Sequence, residues 1–151
     1  MEKLRRAFHE KDVTETICMG AGERKKAARE LRYLYDSLTP FIQRHTERIC
    51  PVCEAVCCID RHGRYDNEDR IFISELGIHI PAFIADRNDT DPCRFLTPGG
   101  CSIERWQRPF RCTWYFCDAL LESMKDDRGR TCRSFIHSLQ KLVLIRQQLL
   151  K

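Results

Sequence analysis

Four cysteines stand within nine residues at Cys50-Pro51-Val52-Cys53-Glu54-Ala55-Val56-Cys57-Cys58. A Cys-x-x-Cys turn presents two sulfurs from one bend, half of a site for a soft metal ion. If that turn runs into a helix, Cys53 and Cys57 lie one turn apart on one face. Cys57 and Cys58 are adjacent and must point apart, so they serve different ligand positions or different centres. Nine residues cannot enclose a metal alone, and a second cluster, Cys93, Cys101, Cys112 and Cys117, offers the missing partners. Cys50, Cys53, Cys57, Cys58, Cys93, Cys101, Cys112 and Cys117 are therefore the expected lining of a metal region. Eight thiols exceed one four-ligand centre, which leaves either two centres or one centre with some thiols standing behind the ligands. Cys18, alone in sequence, reads as a small buried apolar residue. Neither it nor Cys132 is expected among the ligands.

Composition narrows the chemistry of these thiols. The chain has 151 residues, 42% of them apolar, and a net charge of +4, which suits one domain with a modest core. Its ten cysteines are several times ordinary intracellular usage. The first residues, Met1-Glu2-Lys3-Leu4-Arg5-Arg6-Ala7-Phe8, lack the apolar centre of a signal peptide. No apolar run approaches the length of a membrane span. The expected compartment is the cytoplasm, where clustered thiols stay reduced and bind metal more often than they form disulfides. Disulfide or redox-active thiol pairs are the competing reading. Charge is unevenly spread: residues 60–92 hold eight acids against four bases, and residues 94–117 hold four arginines against Glu104 alone. Guanidinium groups beside a thiolate cluster offset its charge and shift its potential. Solvated arginines are the equally weighted alternative.

The elements that position the cysteines follow from periodicity. In residues 1–22, Leu4 and Phe8 share a helical face, and Asp12 with Glu15 resembles a capping box. Gly20 and Gly22 end that pattern. Glu23 to Leu38 is the clearest helix, with Ala27, Leu31, Leu34, Tyr35 and Leu38 at three- and four-residue steps. Its basic face (Arg24, Lys25, Lys26, Arg29, Arg32) reads first as solvated and second as a contact for nucleic acid or an acidic protein. Thr39 and Pro40 are expected to end it and to cap a new helix running from Phe41 to Ile49, which delivers the chain into Cys50. Residues 59–69 read as a polar loop with His62 as a loop histidine. Residues 70–86 are apolar but without a deciding period, a cover for the metal region. Pro98-Gly99-Gly100 is a turn that returns Cys101 toward Cys93. Phe95, Trp106, Phe110, Trp114, Tyr115 and Phe116 either shield a centre from water or build a small aromatic core. Asp118 to Met124 reads as a helix, and Phe135, Leu139, Leu142, Val143, Leu149 and Leu150 mark an amphipathic C-terminal one that closes the domain.

The cysteine pattern resembles the CxxCxxxCC cysteine-cluster proteins, a family described as a zinc- or iron-chelating domain. The resemblance runs through Cys50-x-x-Cys53-x-x-x-Cys57-Cys58, Cys93-Arg94-Phe95-Leu96, Cys101-Ser102-Ile103, and Arg108-Pro109 followed by Cys112. It covers residues 50–117. Thr113 stands where the family carries an arginine, and Arg111 precedes the cysteine instead. Flagellin lysine N-methylases share such a cluster, but the rest of this chain does not resemble them, and methyl transfer is not carried over.

The expectation is a mainly α fold: a small domain whose irregular cysteine-rich centre, within residues 49–151, is flanked by helices and preceded by a helical extension over residues 1–48. Cysteine-only ligation and neighbouring arginines favour an iron–sulfur cluster, above all a 4Fe-4S one, in electron transfer or as a redox accessory with a protein partner. Zinc in a binding module that presents the basic helix to a protein or nucleic acid is the alternative. No membrane contact is expected. No Ser-His-Asp array, phosphate-cradling glycine loop or paired-carboxylate site stands out, which ranks hydrolase and nucleotide-dependent chemistry low.

Overall fold

Leu31, Leu34, Tyr35, Leu38 and Ile42 repeat at the helical period, and they form one buried stripe on a single long helix, α1 (Ala21–Ile49). The structure, a computed structural model, describes residues 19–82, 86–127 and 129–150. The expected short helical pieces before Gly20 and the lone Cys18 lie outside the described residues.

The break expected at Thr39 and Pro40 does not occur, because Pro40 lies inside α1. A proline deprives the carbonyl four residues earlier of its donor. That carbonyl belongs to Asp36, and both Asp36 and Pro40 are on the exposed side of the helix. Thr39 Oγ1 donates to the Tyr35 carbonyl at 2.9 Å and Ser37 Oγ to the Leu34 carbonyl at 2.8 Å. The buried stripe continues unbroken across the proline from Leu38 to Ile42 and His45. Packing on the inner face outweighs one lost bond on the outer face.

After the cysteine loop, Asp66 caps a second helix, α2 (Asn67–Glu75), by accepting the Asp69 backbone N–H at 2.7 Å. Phe72 and Ile73 are its buried apolar residues, and the Phe72 ring meets Tyr35 of α1 at 5.5 Å. Phe72 and Ile73 thus join the helical core, whereas Ile71 is exposed. A two-residue hairpin, β1 (Leu96–Thr97) and β2 (Gly100–Cys101), pairs Leu96 with Cys101. Its turn needs Gly100 at φ 107, a conformation that favours glycine. Two short helices follow, α3 (Arg111–Trp114) and α4 (Asp118–Ser123), and then α5 (Gly129–Leu149).

The fold is mainly α-helical, as expected from the flanking periodicities. Helix α5 lays Phe135, Leu139, Leu142, Ile145 and Leu149 against α1, and Phe135 stacks on Phe41 at 4.3 Å. Residues on both sides of position 49 contribute to this one buried cluster, which extends to Phe95, Trp106 and Phe116. Among the described residues no helix is long and apolar enough to cross a membrane.

One polar pin holds α1 to the far side. His45, only 3% exposed, sets its Nδ1 2.9 Å from Ser123 Oγ and its Nε2 2.7 Å from an Asp127 carboxylate oxygen. Serine, histidine and aspartate therefore do meet, although sequence gave no sign of it. The arrangement is structural: Ser123 is buried and its hydroxyl donates to the Leu120 carbonyl at 2.8 Å. His45→Ala is expected to destabilise the fold by about 1–3 kcal/mol, the usual effect of leaving buried polar partners unmatched. Urea unfolding of the variant and the parent checks it.

Candidate metal centre

The C-terminus of α1 delivers the first thiol. Cys50 caps that helix through its N–H to the Thr46 carbonyl, and a tight turn over Cys50–Val52 lets the Cys53 N–H reach the Cys50 carbonyl at 3.3 Å. Pro51 starts this turn, where a missing N–H removes nothing. The chain then crosses an exposed loop to Cys57. Cys117 is the residue immediately preceding α4.

Backbone pairing builds the second half. Residues 58–61 run antiparallel to residues 89–93: Cys93 N–H donates to the Cys58 carbonyl at 2.8 Å, Asp60 N–H to Asp91 at 2.8 Å and Arg61 N–H to Asp89 at 3.2 Å. The hairpin then carries Cys101 back beside the segment that begins at Cys93, as the Pro98-Gly99-Gly100 turn predicted. Cys112, on α3, donates its S–H to the His62 carbonyl at 3.7 Å. Helix α3 is itself anchored at Phe110, whose N–H donates to Asp69 of α2 at 3.0 Å.

The electrostatics of the thiols records which of them are neighbours. Hydrogen bonding from Cys58 chiefly, then from its own backbone and Cys117, pulls Cys57 down to about 6 against the opposing effect of burial. Cys58 moves strongly up, because its proton is held on Cys57 and because it is desolvated. Burial raises Cys50, with Cys57, Cys117 and Cys53 adding to the effect. Burial also pushes Cys112 up to about 12, reinforced by Cys101 and Cys93 and opposed by Arg108 and Arg105. Cys93 rises for the same first reason, with Cys101 as a contributor and the Phe95 backbone N–H opposing. Two neighbourhoods result. Cys50, Cys53, Cys57 and Cys117 share one, Cys93, Cys101 and Cys112 the other, and Cys58 feels Cys57 and Cys50 as well as Cys112.

Each of the eight expected residues is a free thiol. Among the described residues, no group of three or more His, Cys, Asp or Glu side chains is placed so that it could hold a metal ion. Cys132 stands apart on α5 and donates to the Met124 carbonyl at 3.7 Å.

Two residues of this region escaped sequence reasoning. His62 places Nδ1 2.9 Å from the Cys57 carbonyl, so this loop histidine braces the thiol loop. Gly63 is buried, and a Cβ there would lie 2.6 Å from Cys93 Sγ. Gly63→Ala is expected to drive Cys93 out of its position, with a several-fold faster alkylation of that thiol by iodoacetamide under native conditions. Peptide mass spectrometry reads the rate at Cys93 against Cys132 as an internal reference. The resemblance's departure at Thr113 also acquires a physical setting: that side chain is fully buried, whereas Arg111 is exposed and stacks on Tyr115 at 4.9 Å.

Comparisons of the chain with protein-family models, with curated proteins and with solved structures return no match.

Proposed function

We propose that the protein is a thiolate metal-binding protein that holds iron–sulfur, acting in electron transfer or as a redox accessory. The observation that carries this reading is the backbone pairing that sets free thiols of separate segments side by side: Cys93 pairs with Cys58, the hairpin returns Cys101 beside Leu96, and Cys112 reaches the His62 carbonyl. Soft thiolates are the ligand type for iron–sulfur clusters and for zinc, so the donor set fits both. Cys50, Cys53, Cys57 and Cys117 would hold one centre, and Cys58, Cys93, Cys101 and Cys112 the other. An iron–sulfur cluster, when bound, supplies one-electron transfer at a potential set by its charge, hydrogen bonds and exposure. The chain's part is to bring the sulfurs together and to brace Cys57 through His62.

A second reading, zinc in a binding module, draws on α1, whose Arg24, Lys25, Lys26 and Arg29 are all exposed. The two separate on one preparation. Anaerobically purified protein is expected to be brown, with visible absorption and with iron and sulfide on analysis. A colourless protein containing zinc would move the assignment to the binding module. A preparation with neither metal nor sulfide, and unable to take up either metal, would end both readings.

A further inference from the structure

Four arginines lie among the cysteines of residues 94–117, and the structure separates them. Arg94 is occupied by the Pro81 and Ala82 carbonyls and covers the Phe95 ring. Arg108 donates Nε to the Ile103 carbonyl at 2.9 Å. Arg111 is exposed over Tyr115. Arg105 is the exception: it is 4% exposed, its Nε is buried with no hydrogen-bond partner, and among the described residues it forms no ion pair with a carboxylate. Its Nη1 donates to the Cys112 carbonyl at 3.3 Å.

A guanidinium stays charged in a protein, and a buried charge without a counter-charge is strongly unfavourable. The charged groups that Arg105 feels are Arg108, which opposes it, and the Cys112 and Cys101 sulfurs, which would favour it as thiolates. With neutral thiols the guanidinium is buried beside another cation and, among the described residues, has no carboxylate paired with it. Four thiolates around one metal ion or cluster carry net negative charge, and they would supply the missing partner at that place.

We propose that Arg105 is the internal counter-charge of the centre formed by Cys58, Cys93, Cys101 and Cys112. This rests on the metal-thiolate reading above and extends it to a residue that is not a ligand. Arg105 acts through charge and through its bond to the Cys112 carbonyl, as a positioning residue. Its contribution has opposite signs in the two states of the protein: it stabilises the metal-loaded chain and strains the metal-free one.

That sign reversal is the test. Full-length parent, Arg105→Met and Arg105→Lys proteins are titrated anaerobically with Co²⁺ against a competing chelator, following the sulfur-to-cobalt absorption, and each metal-free form is melted by circular dichroism. In Arg105→Met the second cobalt equivalent is expected to bind about 10- to 100-fold more weakly, as for other groups just behind metal ligands. Arg105→Lys is expected to recover part of that loss. The metal-free Arg105→Met protein is expected to melt at the same temperature as the parent or higher. Weaker binding with a lower metal-free melting temperature in Arg105→Met and no recovery in Arg105→Lys would assign Arg105 a packing role and overturn the proposal. Unchanged cobalt affinity would overturn it while leaving the metal reading intact. A parent protein that takes up no cobalt would overturn both.

Discussion

Removing bound metal is expected to loosen residues 50–117 while α1 and α5 keep most of their helicity. The two regions are held by different forces. Helices α1 and α5 bury Leu31, Leu38, Ile42, Leu139 and Leu142 almost completely against each other, and that packing needs no ligand. Apart from α2, the cysteine region consists of short turns, two-residue strands and a four-residue helix. Such pieces fix many residues for few regular bonds, and ordering each residue costs about 1–2 kcal/mol. Metal–thiolate bonds would offset this, since structural zinc binding is worth about 10–16 kcal/mol in small domains and appears as folding free energy. Hydrogen exchange on metal-loaded and chelator-stripped protein reads the difference residue by residue. Equal protection of residues 50–117 in both forms would sink the idea. A pH effect accompanies it. Burial holds the free Cys112 and Cys93 thiols protonated at neutral pH, so loading must release protons. Metal affinity should therefore weaken steadily as pH falls.

The second large effect lies where α5 meets the start of α2. Arg146 of α5 is 3% exposed, bonds Asp69 at 3.0 Å and reaches Asp66 and Glu68 at 3.3 Å, with its guanidinium over the Phe110 ring at 4.6 Å. Arg146→Leu is expected to destabilise the protein by about 3–5 kcal/mol, because it leaves the buried Asp69 carboxylate uncompensated. Desolvation already pushes Asp69 up to about 6 in spite of Arg146, the largest of the opposing influences, and of the backbone N–H groups of Phe110 and Asp66. A carboxyl raised above its ordinary value of 3.8 binds its proton more tightly in the folded chain. Its contribution to stability is complete below that value and is lost as pH rises through about 6. Without Arg146 the carboxyl rises further. The deficit of Arg146→Leu should thus be largest at pH values well above 6 and shrink on acidification, and adding Asp69→Asn should recover part of it. Denaturant unfolding of the parent and both variants at several pH values measures this. A loss below 1 kcal/mol at neutral pH would show that the pair matters little.

Which features could be read from sequence follows from the range of the interactions that make them. Leu31, Leu34, Tyr35 and Leu38 announce α1 because an apolar face repeats within a few residues, and Leu139 and Leu142 do the same for α5. The turn before Cys101 is equally local, resting on Pro98-Gly99-Gly100. Pro40 misleads because its local preference is real but faces solvent, while the decision is made by Leu38 and Ile42 on the buried side. His45 with Ser123 and Asp127, and Arg146 with Asp69, join residues more than seventy positions apart. No short-range pattern can announce such pairs. The thiols themselves stand out by count and spacing, but their division into neighbourhoods needs the pairing of residues 58–61 with residues 89–93.

That antiparallel pairing also acts as a neck. The chain leaves at Arg61, travels through α2 and an exposed stretch at Pro81 and Ala82, and re-enters at Asp89. A neck separates length from register: residues added at that exposed stretch enlarge the excursion, yet Cys58 and Cys93 remain opposite each other. Doubling a flexible loop adds only about 0.6 kcal/mol of closure entropy. The excursion is thus a place where the chain can take an insertion, a tag or a fluorescent reporter while the sulfurs keep their positions.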